Sequence, residues 1–574
     1  MSKVTARLLR RPRPRFVALL TRPVVKFIRR LPAPLGLVFI LLLGACLRFG
    51  QLTRKPLWVD EVITAIFALG RNFEQVPLDR LLTVAQVPAF FQLQPQVSCS
   101  AIAQNLAAES THPPLFFCLL HRWLVAWQGT DVALLWQLRA LPVLAGLGAI
   151  AALYGLNRLG FSRRAGLAGA AVMAVSPFAV YLSQEARHYT LPLLWITLSL
   201  AVLIKLQQAG QAGRFPLGWW GLWGLLQVLS WYTHYFCSLA IAAQGLTLLP
   251  LSRYGWRWGR AIAVSSLPLL LTLPWLPVFV HHFTSPKTGW LSEPQGLAPL
   301  YQTLISWLVM VVALPVEGQP LAVQIPLGLT AAGLGVWVAW HASQGYRQLL
   351  RQPATRVAAL TLGSFLAWVL LAFFLVSYGL GKDISIAPRY HFVYYPAIAA
   401  LLGASFATPR PGRPDWRRGL SLLLLLGFLS SGVTIFNGAF QKPYHPTRVA
   451  QQVDQSGGSV LVVMAYGNTL EIAVGLSYAL ALARERATSP APTGFAFWPT
   501  LVSYEPVWAG IAQAPVVDHL WVIAPGYIQE SYPVTLPMVG GRCQLDPAEH
   551  HRIGFPYQLY RCQPQEGPLV APTN

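Results

Sequence analysis

"APLGLVFILLLGACLRFGQL", residues 33–52, holds a single charge, Arg48, in a run long enough to cross a bilayer. Ten Lys and Arg, and no acid, lie in residues 1–33. A basic start followed by an apolar run also opens a secretory signal peptide. This run lacks a clear small-residue cleavage site, so it reads as an uncleaved first span. Directly after it comes "PLWVDEVITA", residues 56–65. Two of the chain's 20 acids, Asp60 and Glu61, stand there side by side. Acids at a membrane edge are costly unless water, a cation or a polar substrate meets them.

The composition extends this reading to the whole chain. Of 574 residues, 54% are hydrophobic and 11% charged, against about 25% charged in an average soluble domain. Repeated apolar stretches mark a polytopic membrane protein. The net charge of +23 does not indicate nucleic acid, because the cations are spread over short segments between apolar runs rather than gathered on one soluble stripe. That spread is the pattern of cytoplasmic loops.

The charge rule then fixes an expected topology of about eleven transmembrane helices. Spans are predicted near 34–52, 132–157, 165–181, 190–206, 216–233, 236–251, 261–280, 321–341, up to 378, 390–407 and 420–437. The cytoplasmic segments of this scheme hold 25 of the 43 Lys and Arg and one acid, Asp415. Residues 1–33 form a basic cytoplasmic N-terminus and 34–437 the membrane domain. In its external loop, 53–131, "VITAIFALG" and "PLDRLLTVAQVPAFF" read as interfacial helices and 92–111 as a loop insertion. "HPPLFFCLLHRWLVAWQG" is short, with His121 and Arg122 near its middle. It is expected to lie along the surface, which keeps Arg158, Arg163 and Arg164 inside. Residues 438–574 read as a small extracytoplasmic α/β domain, with "GSVLVVMAYG" and "VDHLWVIAPG" as buried strands. Cys543 and Cys562 lie there and would pair in an oxidising space. Cys46, Cys118 and Cys237, in apolar runs, read as packing residues.

In this topology Asp60, Glu61, His112, the "QEARHY" turn at 184–189 and Arg389 fall on one side of the membrane. Each has a plainer reading. Asp60 can cap the helix that follows it, and "THPPL" can simply start a helix. Glu185 and Arg187 can satisfy each other. Arg139 can snorkel to the interface, and Arg389 can anchor a span.

Together they form a pattern. "WVDE" (58–61), "HPPL" (112–115), "LRALPVLAG" (138–146), "SPFAVYLSQEARHY" (176–189) and "PRYHFVYYP" (388–396) resemble, in order and spacing, the GT-C membrane glycosyltransferases. The likeness is to the protein O-mannosyltransferase branch (glycosyltransferase family 39) that includes aminoarabinose transferases. It covers roughly residues 34–407; the C-terminal domain shows none. The resemblance implies transfer of a sugar from a polyprenyl-phosphate donor to an acceptor, with inversion, on the extracytoplasmic face of a bacterial inner or plasma membrane. Asp60 is then the base that takes the acceptor's proton, with Glu61 orienting Asp60 or the acceptor. Arg187 and Arg389 are expected to bind the donor phosphate, with His112, Glu185, Tyr189 and Tyr390 as further substrate contacts. Some relatives use a divalent cation, Mg or Mn, for which Asp60 and Glu185 are the ligand candidates here. Metal-independent chemistry is the favoured expectation. The expected partners are the lipid-linked donor, the bilayer and an acceptor that is protein, lipid or glycan.

Two other classes compete. A transporter or flippase predicts ionisable groups at mid-bilayer and inverted repeats, and the sequence has neither. A non-catalytic assembly protein would not need the set Asp60, Glu185 and Arg389.

Overall fold

The computed structural model describes residues 33–285, 287, 289, 291–409, 416–500 and 503–565. The basic N-terminus and most of the expected cytoplasmic loop with Asp415 lie outside the described residues. The chain divides into two compact units. One comprises residues up to 50, 142–184 and 188–440; the other comprises 51–141, 185–187 and 441 onward. This differs from the expected division at 438, since the external loop and the C-terminal region share one unit.

The first unit is helical. Among the described residues, five helices are long and apolar enough to cross a membrane: Leu134–Gly160, which begins in the other unit, Thr190–Gln211, Leu321–Arg351, Pro353–Gly379 and Arg417–Ile435. Two bent pairs raise this to seven: Arg163–Ala174 with Pro177–Ser183, at 61°, and Trp256–Ser266 with Pro268–Phe283, at 43°. Ala33–Phe49 and Tyr395–Ala407 are apolar but shorter. Length alone therefore supports fewer spans than the eleven expected. The breaks have local causes: Pro177 and Pro268 each open the second helix of a pair and cannot donate back to the helix before it.

One break shows how the unit is held. Where Arg163–Ala174 ends, freed carbonyls need donors. Buried Arg48 supplies them, giving Nη1 to Ala174 O (2.9 Å) and Nη2 to Met173 O (3.0 Å), while its Nε bonds Ser183 Oγ (3.1 Å). A charge inside an apolar helix is thus spent on satisfying irregular backbone. Nearby, a Cβ on Gly403 would lie 2.3 Å from Gly169 Cα. Glycine there lets two helix backbones pack directly.

The second unit carries a seven-stranded mixed sheet in the order β1-β3-β2-β4-β7-β6-β5. The strands are β1 Leu81–Thr83, β2 Val460–Tyr466, β3 Thr493–Pro499, β4 His519–Ile523, β5 Thr535–Met538, β6 Gly541–Ile553 and β7 Phe555–Pro564. β2 is parallel to both β3 and β4. Its near-continuous apolar run suits a strand covered on both faces. The helix Thr469–Glu485, started by Asn468 accepting from Glu471 N, makes the crossover to β3.

The edge strand β1 comes from the external loop and pairs antiparallel with β3. It falls inside "PLDRLLTVAQVPAFF", which was expected to be one amphipathic helix. After β1 the segment continues as the 3-10 turn Val84–Phe91, which contains Pro88. The expected loop insertion at 92–111 instead contains the helix Cys99–Glu109, capped by Ser98. Leu115–Ala126 has only 12 residues, about 18 Å of helix at 1.5 Å per residue, too short to cross a bilayer core. Cys99 and Cys118 form a disulfide between these two helices, so Cys118 is not simply a packing residue. Cys543 and Cys562 are opposite each other across β6 and β7 and are also bridged.

Candidate active site

Asp60 and Glu61 sit in the first turn of the helix Val59–Ala68. Trp58, not Asp60, is the N-cap residue. The two neighbouring acids have different surroundings, both set within the second unit.

Glu61 is fully buried. Its Oε1 accepts from Arg139 Nε at 2.8 Å and from the Ala186 amide at 2.7 Å. Its Oε2 accepts from Arg139 Nη2 at 2.7 Å and, at 3.4 Å, from the Trp58 amide. The remaining Arg139 capacity goes to the carbonyls of Leu52 (2.6 Å), Lys55 (2.9 Å) and Pro56 (3.1 Å). This corrects two expectations. Arg139 does not snorkel, and Glu61 has no oxygen turned to an acceptor. The pair instead fixes the chain between Leu52 and Glu61 and ties it to the "QEARHY" turn.

Asp60 keeps 14% of its side-chain surface open, and its Oδ2 lies 3.9 Å from Arg187 Nε. Arg187 is itself held on three sides. Nη1 donates to Asp60 O at 3.0 Å and to Thr64 Oγ1 at 2.8 Å, and Nη2 donates to His112 Nε2 at 3.1 Å. An arginine only donates, so Nε2 accepts and the ring proton lies on Nδ1. That nitrogen then donates to Ser110 Oγ at 2.8 Å. Four separated stretches, at 58–64, 110–112, 139 and 185–187, thus meet around the two neighbouring carboxylates, Arg139 and the Ala186 amide on Glu61 and Arg187 beside Asp60.

Glu185 and Arg187 do not pair with each other. Glu185 forms an ion pair with Lys442, whose ammonium also lies 3.6 Å above the Trp58 ring. The hydroxyl of Tyr444 accepts the Val59 amide, and Ser477 donates to Leu57 O. Sequence reasoning missed Lys442, Tyr444 and Ser477. No local motif marks them. Lys55 is half-buried nearby, and burial pushes its ammonium down to about 8, partly offset by Glu185 and Glu61.

Tyr189, Arg389 and Tyr390 belong to the first unit. The Tyr189 and Tyr390 rings are 6.5 Å apart and flank His234, at 5.6 and 6.3 Å. The Arg389 guanidinium lies 5.4 Å from the Tyr390 ring on the turn Pro388–Val393.

Asp60 and Glu185 make a poor donor set for a divalent cation. Each already faces a cationic side chain, and among the described residues no three His, Cys, Asp or Glu side chains group as metal ligands.

No protein-family model matches the chain, and no curated protein matches it. Among solved structures it is similar to ArnT from Cupriavidus metallidurans bound to undecaprenyl phosphate. Identity is 13% and the TM-score 0.49, covering 91% of this chain and 97% of that one. It is also similar to the archaeal oligosaccharyltransferase AglB from Archaeoglobus fulgidus, in complex with an inhibitory peptide and a dolichol-phosphate. There identity is 12% and the TM-score 0.40, covering 78% of this chain and 63% of that one.

Proposed function

We propose that this protein is an integral membrane glycosyltransferase. It moves a sugar from a polyprenyl-phosphate donor to an acceptor hydroxyl on the extracytoplasmic face. The observation that carries the reading is the convergence of the "WVDE", "HPPL", "LRALPVLAG" and "QEARHY" motifs on the pair Asp60 and Glu61, with Arg139 closing Glu61 and Arg187 facing Asp60, the one acid left partly open.

In this reaction the acceptor O–H attacks the anomeric carbon as the bond to the lipid phosphate breaks, inverting the configuration. Asp60 takes the acceptor proton. The Arg187 guanidinium faces that carboxylate, its Nε 3.9 Å from Oδ2. Arg389, whose planar fork suits phosphate oxygens, is the proposed phosphate-binding residue. Glu61 acts at one remove, through the backbone it fixes.

The test is sugar transfer by purified protein in liposomes, supplied with polyprenyl-phosphate-linked labelled sugars and lysate acceptors. Asp60→Asn keeps the shape and removes the base, so turnover should collapse. Near-normal turnover by that variant would remove Asp60 from the role. Absence of transfer by the unaltered protein with every donor would overturn the reading itself.

A further inference from the structure

Lys442 follows the last expected span, where a lysine is ordinarily a membrane-edge anchor. It is placed differently here. Its ammonium pairs with Glu185, whose side chain is only 8% exposed, and lies over the Trp58 ring. An aromatic face and a carboxylate around one ammonium make a cation cage. Both walls belong to the reaction centre. Trp58 begins the helix that carries Asp60, and the residue after Glu185 donates its amide to Glu61. Two residues on, Tyr444 receives the Val59 amide, and Ser477 holds Leu57 O. The C-terminal region therefore grips three consecutive residues, Leu57 to Val59, immediately before Asp60.

We propose that Lys442 is a positioning residue of the reaction centre: its ammonium, caged by Trp58 and Glu185, locks the start of the Asp60 helix against the 185–187 turn. The segment at 441–444 is then part of the catalytic apparatus rather than a tether for the C-terminal sheet. This assignment rests on the proposed glycosyl transfer for its kinetic consequence, while the cage itself does not.

Charge makes the claim testable apart from folding. Lys442→Ala empties the cage but leaves both walls. An ethylammonium ion fits where the lysine head sat, and ethanol has the size without the charge. With the reconstituted full chain, Lys442→Ala should lower kcat roughly tenfold to hundredfold, the range for losing one charge-assisted contact, with donor KM little changed. Ethylammonium should restore much of the rate and ethanol none. Restoration should vanish in Lys442→Ala with Glu185→Gln. Hydrogen exchange over residues 57–61 supplies a readout independent of catalysis, faster in Lys442→Ala and slowed again by ethylammonium alone. Full activity and unchanged exchange in Lys442→Ala would overturn the proposal. So would a loss that ethylammonium and ethanol repair equally, or that neither repairs. If the unaltered protein transfers no sugar but exchange responds as stated, the cage stands and only the functional reading falls.

Discussion

Arg139 closes both oxygens of Glu61 in a buried fork, at 2.8 and 2.7 Å, across 78 residues of sequence. The pair makes Glu61 a structural acid and leaves Asp60 as the chemical one. Breaking a buried pair from one side strands a charge and costs about 3–5 kcal/mol. Arg139→Met should therefore lower the unfolding temperature sharply in detergent micelles, whereas Asp60→Asn should move it little and abolish transfer. Equal melting shifts for the two variants would refute this division of roles.

Arg187 and Arg389 should fail differently. Arg187→Lys keeps the charge but loses the fork that reaches Asp60 O, Thr64 and His112 together. The expected result is a fall in kcat of roughly tenfold to hundredfold, from one or more charge-assisted bonds. Arg389→Lys should instead raise the donor KM with a smaller change in kcat. Steady-state kinetics at varied donor concentration separates the two. A KM effect in Arg187→Lys alone would reverse the assignments.

How much of this was legible follows from distance along the chain. The helix at Val59–Ala68 and the strand β2 were readable because each rests on local pattern. The motif acids were readable as a set because five stretches keep their order. The edge strand β1 was not. The leucines and valines of the segment around it, at 78, 81, 82, 84 and 87, suggest helical spacing, and only pairing with β3, more than 400 residues on, makes 81–83 a strand. Arg139 resembled any arginine near a span end until Glu61 and three carbonyls surrounded it. Lys442 carried no signal at all, because its cage is assembled from residues 58 and 185. Cys118 read as a packing residue because its helix is apolar, while its partner Cys99 sat in a stretch read as loop.

That disulfide has a measurable consequence. Cys99–Cys118 joins the helices on either side of the turn that holds His112. A bridge with this separation of 19 residues stabilises by about 3 kcal/mol in the loop-entropy description. Cys99→Ser with Cys118→Ser should lower the unfolding temperature and loosen the His112–Arg187 contact, so transfer should weaken as well. Non-reducing peptide mapping checks the bond directly. Recovery of Cys99 and Cys118 as free alkylated thiols, from protein purified without reductant, would dispose of it.

Burial lowers the Lys55 ammonium from 10.5 in the unfolded chain to about 8 in the folded one. Between those values the unfolded state holds more protons, so stability attributable to this group rises with pH. Below pH 8 both states carry the charge, and the folded protein bears the full cost of burying it. Above 10.5 neither does, and the cost is gone. Lys55→Met removes the charge and therefore the slope. The unaltered protein should gain more unfolding temperature between pH 7 and pH 9.5 than Lys55→Met, and the variant should be the more stable of the two at pH 7. Alkaline denaturation of tyrosines and other lysines acts on both proteins alike, so the difference between their pH curves isolates Lys55. Parallel curves would show that its ammonium is not held down by burial, and that the carboxylates of Glu185 and Glu61 compensate it in full.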